Sequence, residues 1–145
     1  MATTYTVDAS VFLNAFNPYE AGHQESNRLL AGMQEEAVPI IVPTLLLPEV
    51  SAAVARGRDD AELARRFTAQ LRRLPHLVLV PVEERLAEQA ADIAAQHRLR
   101  GSDAVYAAVA LRFGSTLVTL DEEQRRRIAE VIPTRLPGQA LGEWM

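Results

Sequence analysis

The sequence predicts a three-layer α/β/α domain built on a parallel sheet of four to five strands. Short strand-like runs recur at Tyr5–Val7, Ile40–Val42, Leu77–Val80 and Thr116–Thr119, and the fully apolar second and third suit strands covered on both faces. Longer stretches with helical periodicity separate them, as the crossovers between parallel strands require. The 145 residues, 48% hydrophobic and 23% charged, suffice for one domain around one core. No internal repeat or linker interrupts residues 1–145, so a single domain is expected.

Tyr5-Thr6-Val7 forms a first strand ending at Asp8, and Ser10 is expected to cap a helix opening at Val11-Phe12-Leu13. Asn17-Pro18 breaks it. Leu29, Leu30 and Met33 place a second helix over about Glu20 to Glu36, before the buried strand Ile40-Ile41-Val42 between Pro39 and Pro43. Pro48 fits the first turn of the next helix, where its missing N–H costs little, and this puts Glu49 in the same turn. Gly57 is expected to separate that helix from another over about Asp60 to Leu74, which Pro75 stops. After the strand Leu77–Val80, Glu83 to His97 reads as a helix with Leu86, Ala90, Ile93 and Ala94 on one face. Gly101-Ser102 then precede the alanine-rich helix from Asp103, whose small side chains suggest close packing on the sheet. Gly114 ends it. Thr116–Thr119 follows, then Asp121, a short polar helix over Glu122 to Ala129, and a last edge strand over Val131 to Arg135.

Several chemistries are excluded by composition. The chain has no cysteine, so disulfides, thiolate metal sites and cysteine nucleophiles are ruled out. All 15 basic residues are arginine. Without lysine there is no P-loop, no Schiff base and no receiver-domain chemistry, and a phosphatase with an aspartyl nucleophile lacks both its DxDxT motif and its lysine. His23, His76 and His97 show no metal-binding spacing and are read as structural or surface residues. No apolar run is long enough to span a bilayer, and the opening Met1-Ala2-Thr3-Thr4-Tyr5 lacks a secretory signal pattern. A cytoplasmic location is expected.

Four acids converge on one edge. In open α/β sheets ligands bind beyond the carboxyl ends of the strands, where strand order reverses. Asp8 and Asp121 lie just past strand ends, and Glu49 lies in the first turn of the helix after the second strand. Asp103 opens a helix that must run antiparallel to the following strand, so it starts at the same edge. Four carboxylates about 5 Å apart at an effective dielectric of about 20 repel by roughly 3 kcal/mol per pair. Summed over the pairs, this exceeds the whole stability of a small domain. Either protons or a cation must relieve it. Oxygen ligands without histidine or cysteine suit Mg²⁺ or Mn²⁺, which can lower the pKa of a water and neutralise a phosphodiester.

Taken singly, each acid has an ordinary alternative. Asp8 or Asp121 can cap a helix, Glu49 can interact with a helix dipole, and Asp103 can do the same with Ser102 as cap. The stretch Arg56 to Arg73 carries six arginines against Asp59, Asp60 and Glu62. It is either a solvated face or, through Arg65, Arg66, Arg72 and Arg73, a phosphate-binding one. Arg125-Arg126-Arg127 poses the same choice. Trp144 is expected to pack on the domain or on a partner.

Val7-Asp8-Ala9-Ser10, Pro48-Glu49-Val50, Ser102-Asp103-Ala104-Val105-Tyr106-Ala107-Ala108 and Leu117-Val118-Thr119-Leu120-Asp121, in this order and spacing, resemble the PIN-domain family, and especially its VapC-type toxins. The resemblance covers almost the whole chain. It implies a PIN-like fold and a metal-dependent endoribonuclease, the toxin of a type II toxin–antitoxin pair. It further implies a homodimer, an RNA substrate and a cognate antitoxin whose tail enters the active site. On this resemblance Asp8, Glu49, Asp103 and Asp121 are the catalytic and metal-binding residues, while Ser10 and Thr119 position water or the carboxylates. Whether Glu122 or Glu123 joins the site, and whether one or two ions bind, stays open. The other reading is a non-catalytic module of the same fold that binds RNA or a protein partner.

Overall fold

The computed structural model describes residues 3–143. Trp144 and the opening Met1-Ala2 lie outside the described residues, and with them the packing expected of that tryptophan. The strands are β1 (Tyr5–Val7), β2 (Ile40–Pro43), β3 (Leu77–Val80), β4 (Thr116–Val118) and β5 (Thr134–Arg135). The helices are α1 (Ala9–Phe16), α2 (His23–Glu35), α3 (Leu46–Arg58), α4 (Ala61–Arg72), α5 (Glu84–His97), α6 (Gly101–Phe113), α7 (Glu122–Ile128) and α8 (Pro137–Gly142).

All five strands are parallel, in the order β3-β2-β1-β4-β5. The chain builds outward from β1 through β2 to β3, then returns to add β4 and β5 on the other flank. The reversal therefore falls between β1 and β4, and it is there that an open α/β sheet leaves a crevice. Tyr5, Val7, Ile40, Val42, Leu117 and Val118 are all buried in the central strands, whereas Val78 on the edge strand β3 is 45% exposed.

The alanines of α6 do what their size suggests. Ala104, Ala107, Ala108 and Ala110 are buried, and the helix packs on β1, β2, β4 and α5. Gly114 closes it in the left-handed conformation at φ +63°, which costs a residue without Cβ little.

Local boundaries differ from expectation in five places. Ser10 is not the cap of α1. Asp8 holds that position and Ser10 lies inside the helix. The second helix starts at His23 rather than near Glu20, because Gly22 takes φ +83° and turns the chain first. Gly57 stays within α3, which ends instead at Asp59 in the left-handed region, with Asp60 accepting from Leu63 N–H to start α4. Ser102 is likewise no cap, since Arg100 holds the N-cap position of α6. Finally, the last strand shrinks to Thr134–Arg135, and α8 follows, unforeseen, with Pro137 opening its first turn and Gln139 Oε1 accepting from Leu136 N–H at 2.8 Å.

Candidate active site

Asp8 is set by the sheet itself. Its backbone N–H donates to Val118 O at 2.9 Å, tying the end of β1 to the end of β4. It stands at the N-cap of α1, but its side chain makes no capping bond. Instead Oδ2 accepts from Ser10 Oγ at 2.7 Å and from Thr119 Oγ1 at 3.0 Å. The ordinary alternative, a capping aspartate, is thus not what the side chain does.

Thr119 is fully buried and its hydroxyl also meets Asp121 N–H at 3.1 Å and the Gln124 amide at 2.9 Å. A hydroxyl has one proton and two lone pairs. If the proton goes to Asp8, the oxygen accepts from Asp121 N–H and from the Gln124 amide. That requires the amide turned so that Nε2 donates, which leaves Oε1 where the buried nitrogen has no partner. Ser10 Oγ in turn accepts from Leu120 N–H at 3.2 Å. Two hydroxyls thereby bind the carboxylate to both strand ends.

Glu49 projects from the first turn of α3, and its Oε1 accepts from Tyr106 Oη at 2.7 Å. Tyr106 is wholly buried on α6. Burial pushes its hydroxyl far above the ordinary value, so it stays a donor. Asp103, one turn earlier on α6, is 7% exposed. Its Oδ2 accepts from Arg100 Nε at 2.9 Å, and Arg100 Nη2 donates to Asp121 Oδ2 at the same distance. Asp121 Oδ1 accepts from Gln124 N–H at 3.0 Å, so this residue does cap its helix, α7.

The acids feel one another. Burial raises the Glu49 carboxyl above its ordinary value, and Asp8 and Asp103 push the same way against the opposing Tyr106 hydroxyl and Arg100. Burial likewise raises Asp103, offset by the Arg100 guanidinium and reinforced by Asp8 and Asp121. Asp8, Glu49 and Asp103 line one cavity of about 480 Å³ together with Ser10, Arg56 and Arg100. Asp121 faces a smaller recess beyond Arg100, shared with Asp103, Glu123 and Arg127.

A family model described as the PIN domain matches residues 5–130. The chain belongs to the PIN-domain family. Among solved structures its fold is similar to VapBC2 from Rickettsia felis, bound to a DNA fragment from its promoter. There the identity is 14% and the TM-score 0.71, over 92% of this chain and 98% of that one. VapC20 of Mycobacterium tuberculosis, a toxin that cleaves the sarcin–ricin loop, is similar at 21% identity and TM-score 0.71, over 85% of this chain and 94% of that one. A toxin–antitoxin complex from Klebsiella pneumoniae is similar at 17% identity and TM-score 0.64, over 93% of this chain and 98% of that one. At these identities the likeness is one of fold. No curated protein matches by sequence.

In this PIN domain the sequence-predicted residues divide. Asp8, Glu49 and Asp103 share the cavity, with Ser10 and Thr119 on Asp8. Asp121 adjoins them across Arg100. Arg65, Arg66, Arg72 and Arg73 are exposed on and just after α4 and do not line the cavity, whereas Arg56 and Arg100 do. Glu122 is exposed, and Glu123 pairs with Arg127. Arg125 Nη1 donates to Thr119 O at 3.1 Å, and Arg127 donates to Arg98 O.

Sequence reasoning missed Arg100, Tyr106 and Gln124. The first two had a signal, since each lies three residues from Asp103 and so one helical turn away. Gln124 is three residues from Asp121, the spacing at which a cap meets the third helical residue.

The donor chemistry suits a hard divalent ion. Among the described residues no hydrogen bond reaches Asp8 Oδ1, Glu49 Oε2 or Asp103 Oδ1, so each carboxylate in the cavity keeps one oxygen to offer. The spacing is not preset. Among the described residues no three acidic or histidine side chains are gathered tightly enough to hold an ion as they stand.

Proposed function

We propose that this PIN domain is a metal-dependent endoribonuclease, the toxin of a type II toxin–antitoxin pair, acting in the cytoplasm as a homodimer. The observation that carries the reading is the cavity beyond the carboxyl end of β1, where Asp8, Glu49 and Asp103 each keep an oxygen that no hydrogen bond reaches among the described residues. Asp8, Glu49 and Asp103, with Asp121, would hold Mg²⁺ or Mn²⁺ there, which would supply an activated water and neutralise charge on the phosphodiester.

The chain's own residues do the rest. Ser10 and Thr119 fix the direction of Asp8 with neutral donors and leave its charge intact. Tyr106 does the same for Glu49. Arg56 puts positive charge on the wall of the cavity, where it would attract an RNA phosphate. An attack by water needs no covalent enzyme intermediate.

A protein partner has a surface to cover. An apolar groove of about 440 Å³ lies between α1, α2 and α4, lined by Phe12, Phe16, Leu30, Phe67 and Leu74 among others. It supports the reading of a cognate antitoxin. Among the described residues no helix is long and apolar enough to cross a membrane.

Asp8→Asn tests the reading, because it keeps the shape and one acceptor oxygen while removing the charge. Metal-dependent cleavage of RNA should fall by at least about 100-fold, while melting without metal stays the same or rises as like charges are relieved. Normal cleavage by Asp8→Asn would leave a binding module as the better description.

A further inference from the structure

Arg100 divides its guanidinium between two carboxylates from different helices. Its Nε meets Asp103 of α6 and its Nη2 meets Asp121 at the start of α7, both at 2.9 Å. The arginine side chain is 74% exposed, whereas that of Asp103 is 10% exposed. The charged end is therefore held by the acids, while the stem has little packing to hold it. Arg100 sits at the N-cap of α6 with an extended backbone, so side-chain rotation alone can withdraw it into solvent.

The same two carboxylates are among those read above as holding a divalent ion. A planar guanidinium bridges them by two hydrogen bonds, and a bound ion would draw on the same negative charge. Asp103 Oδ1 stays open, but both oxygens of Asp121 are taken, by Arg100 and by Gln124 N–H, and two cations repel at this range, so the ion gains Asp121 only as the guanidinium leaves. An exposed arginine–carboxylate pair is individually weak, which makes the guanidinium the partner that yields.

We propose that Arg100 is a built-in competitor of the divalent ion, cross-linking Asp103 and Asp121 until the ion displaces it. The inference rests on the metal-site reading of these acids. Arg100 is then a positioning residue that sets the ion concentration at which the site assembles. It also accounts for an acidic rim whose members are not gathered to ligating distance in its presence.

Mn²⁺ titration calorimetry of wild type and Arg100→Gln at pH 7.5, with melting curves without added ion, tests it. Arg100→Gln should bind Mn²⁺ roughly tenfold more tightly, since a competing charge is gone, and should melt lower without ion because two acids lose their counter-charge. Arg100→Lys should fall between, keeping the charge without the fork. A merely structural arginine would lower melting without tightening Mn²⁺ binding. Unchanged or weaker binding in Arg100→Gln, or no binding by either protein, overturns the proposal. If the wild type cleaves no RNA yet Arg100→Gln still binds Mn²⁺ more tightly, the ribonuclease reading fails and the competition stands. Metal-dependent cleavage with equal affinities retires the competition alone.

Discussion

Asp8 is buried and accepts from two hydroxyls, Ser10 and Thr119, whereas Asp121 is more open, caps α7 and is bridged by an exposed arginine. The two aspartates follow adjacent parallel strands and would be hard to tell apart as letters. Their partners separate them. Neutral donors orient a carboxylate and leave its full charge available, while a guanidinium neutralises it and must leave before a metal can use it. One end of the rim is pre-organised and the other is held in reserve.

The sharpest way to break this contrast is Thr119→Val, which removes the buried hydroxyl serving Asp8, Asp121 N–H and Gln124 together. Stability should drop by about 1–3 kcal/mol, the range for stranding buried polar groups, measured by denaturant unfolding. A loss below about 0.5 kcal/mol would mean that Asp8 is not held by this network.

Alanine at each end sharpens the comparison further. Asp121→Ala removes the acceptor for Gln124 N–H and should cost about 1 kcal/mol as a lost cap. Asp8→Ala has no cap to lose but strands the buried Thr119 hydroxyl, so its metal-free loss should be larger, about 1–3 kcal/mol. Equal losses from the two variants would erase the distinction drawn here.

The smallest effect concerns pH. Glu49 has a folded-state pKa raised chiefly by burial, so the folded protein binds this proton more tightly than the unfolded chain. Its contribution favours folding below the ordinary carboxylate range and is lost as pH rises through the raised value. Glu49→Gln keeps an acceptor for Tyr106 and removes the ionisation. Without metal it should melt above wild type at pH 8, by no more than about 2 °C, and the difference should vanish near pH 4. A gap that widens toward acid would contradict the burial argument.

The strands, the crossover helices and the four acids were legible because each depends on short-range features. Apolar runs mark the strands, Pro48 and Gly114 mark helix ends, and acids just past strand ends mark the rim. Where neighbouring residues compete for one backbone role, local reasoning chose wrongly. Ser10 looked the better cap beside Asp8, yet lies within the helix and donates to Asp8. Gly57 looked the better breaker beside Asp59, yet Asp59 took the left-handed turn.

What the sequence by itself determined is the fold class and which carboxylates lie at the same sheet edge, since the direction of each helix follows from the direction of its strands. Only the tertiary structure decided how each carboxylate is held. Arg100 and Asp121 are separated by 21 positions, as Tyr106 and Glu49 are by 57, and nothing in local periodicity links them. Those contacts exist because α6 packs across the sheet beside the ends of β1 and β4. Hydrogen bonds need atoms within about 3 Å, a distance that only the packed chain sets.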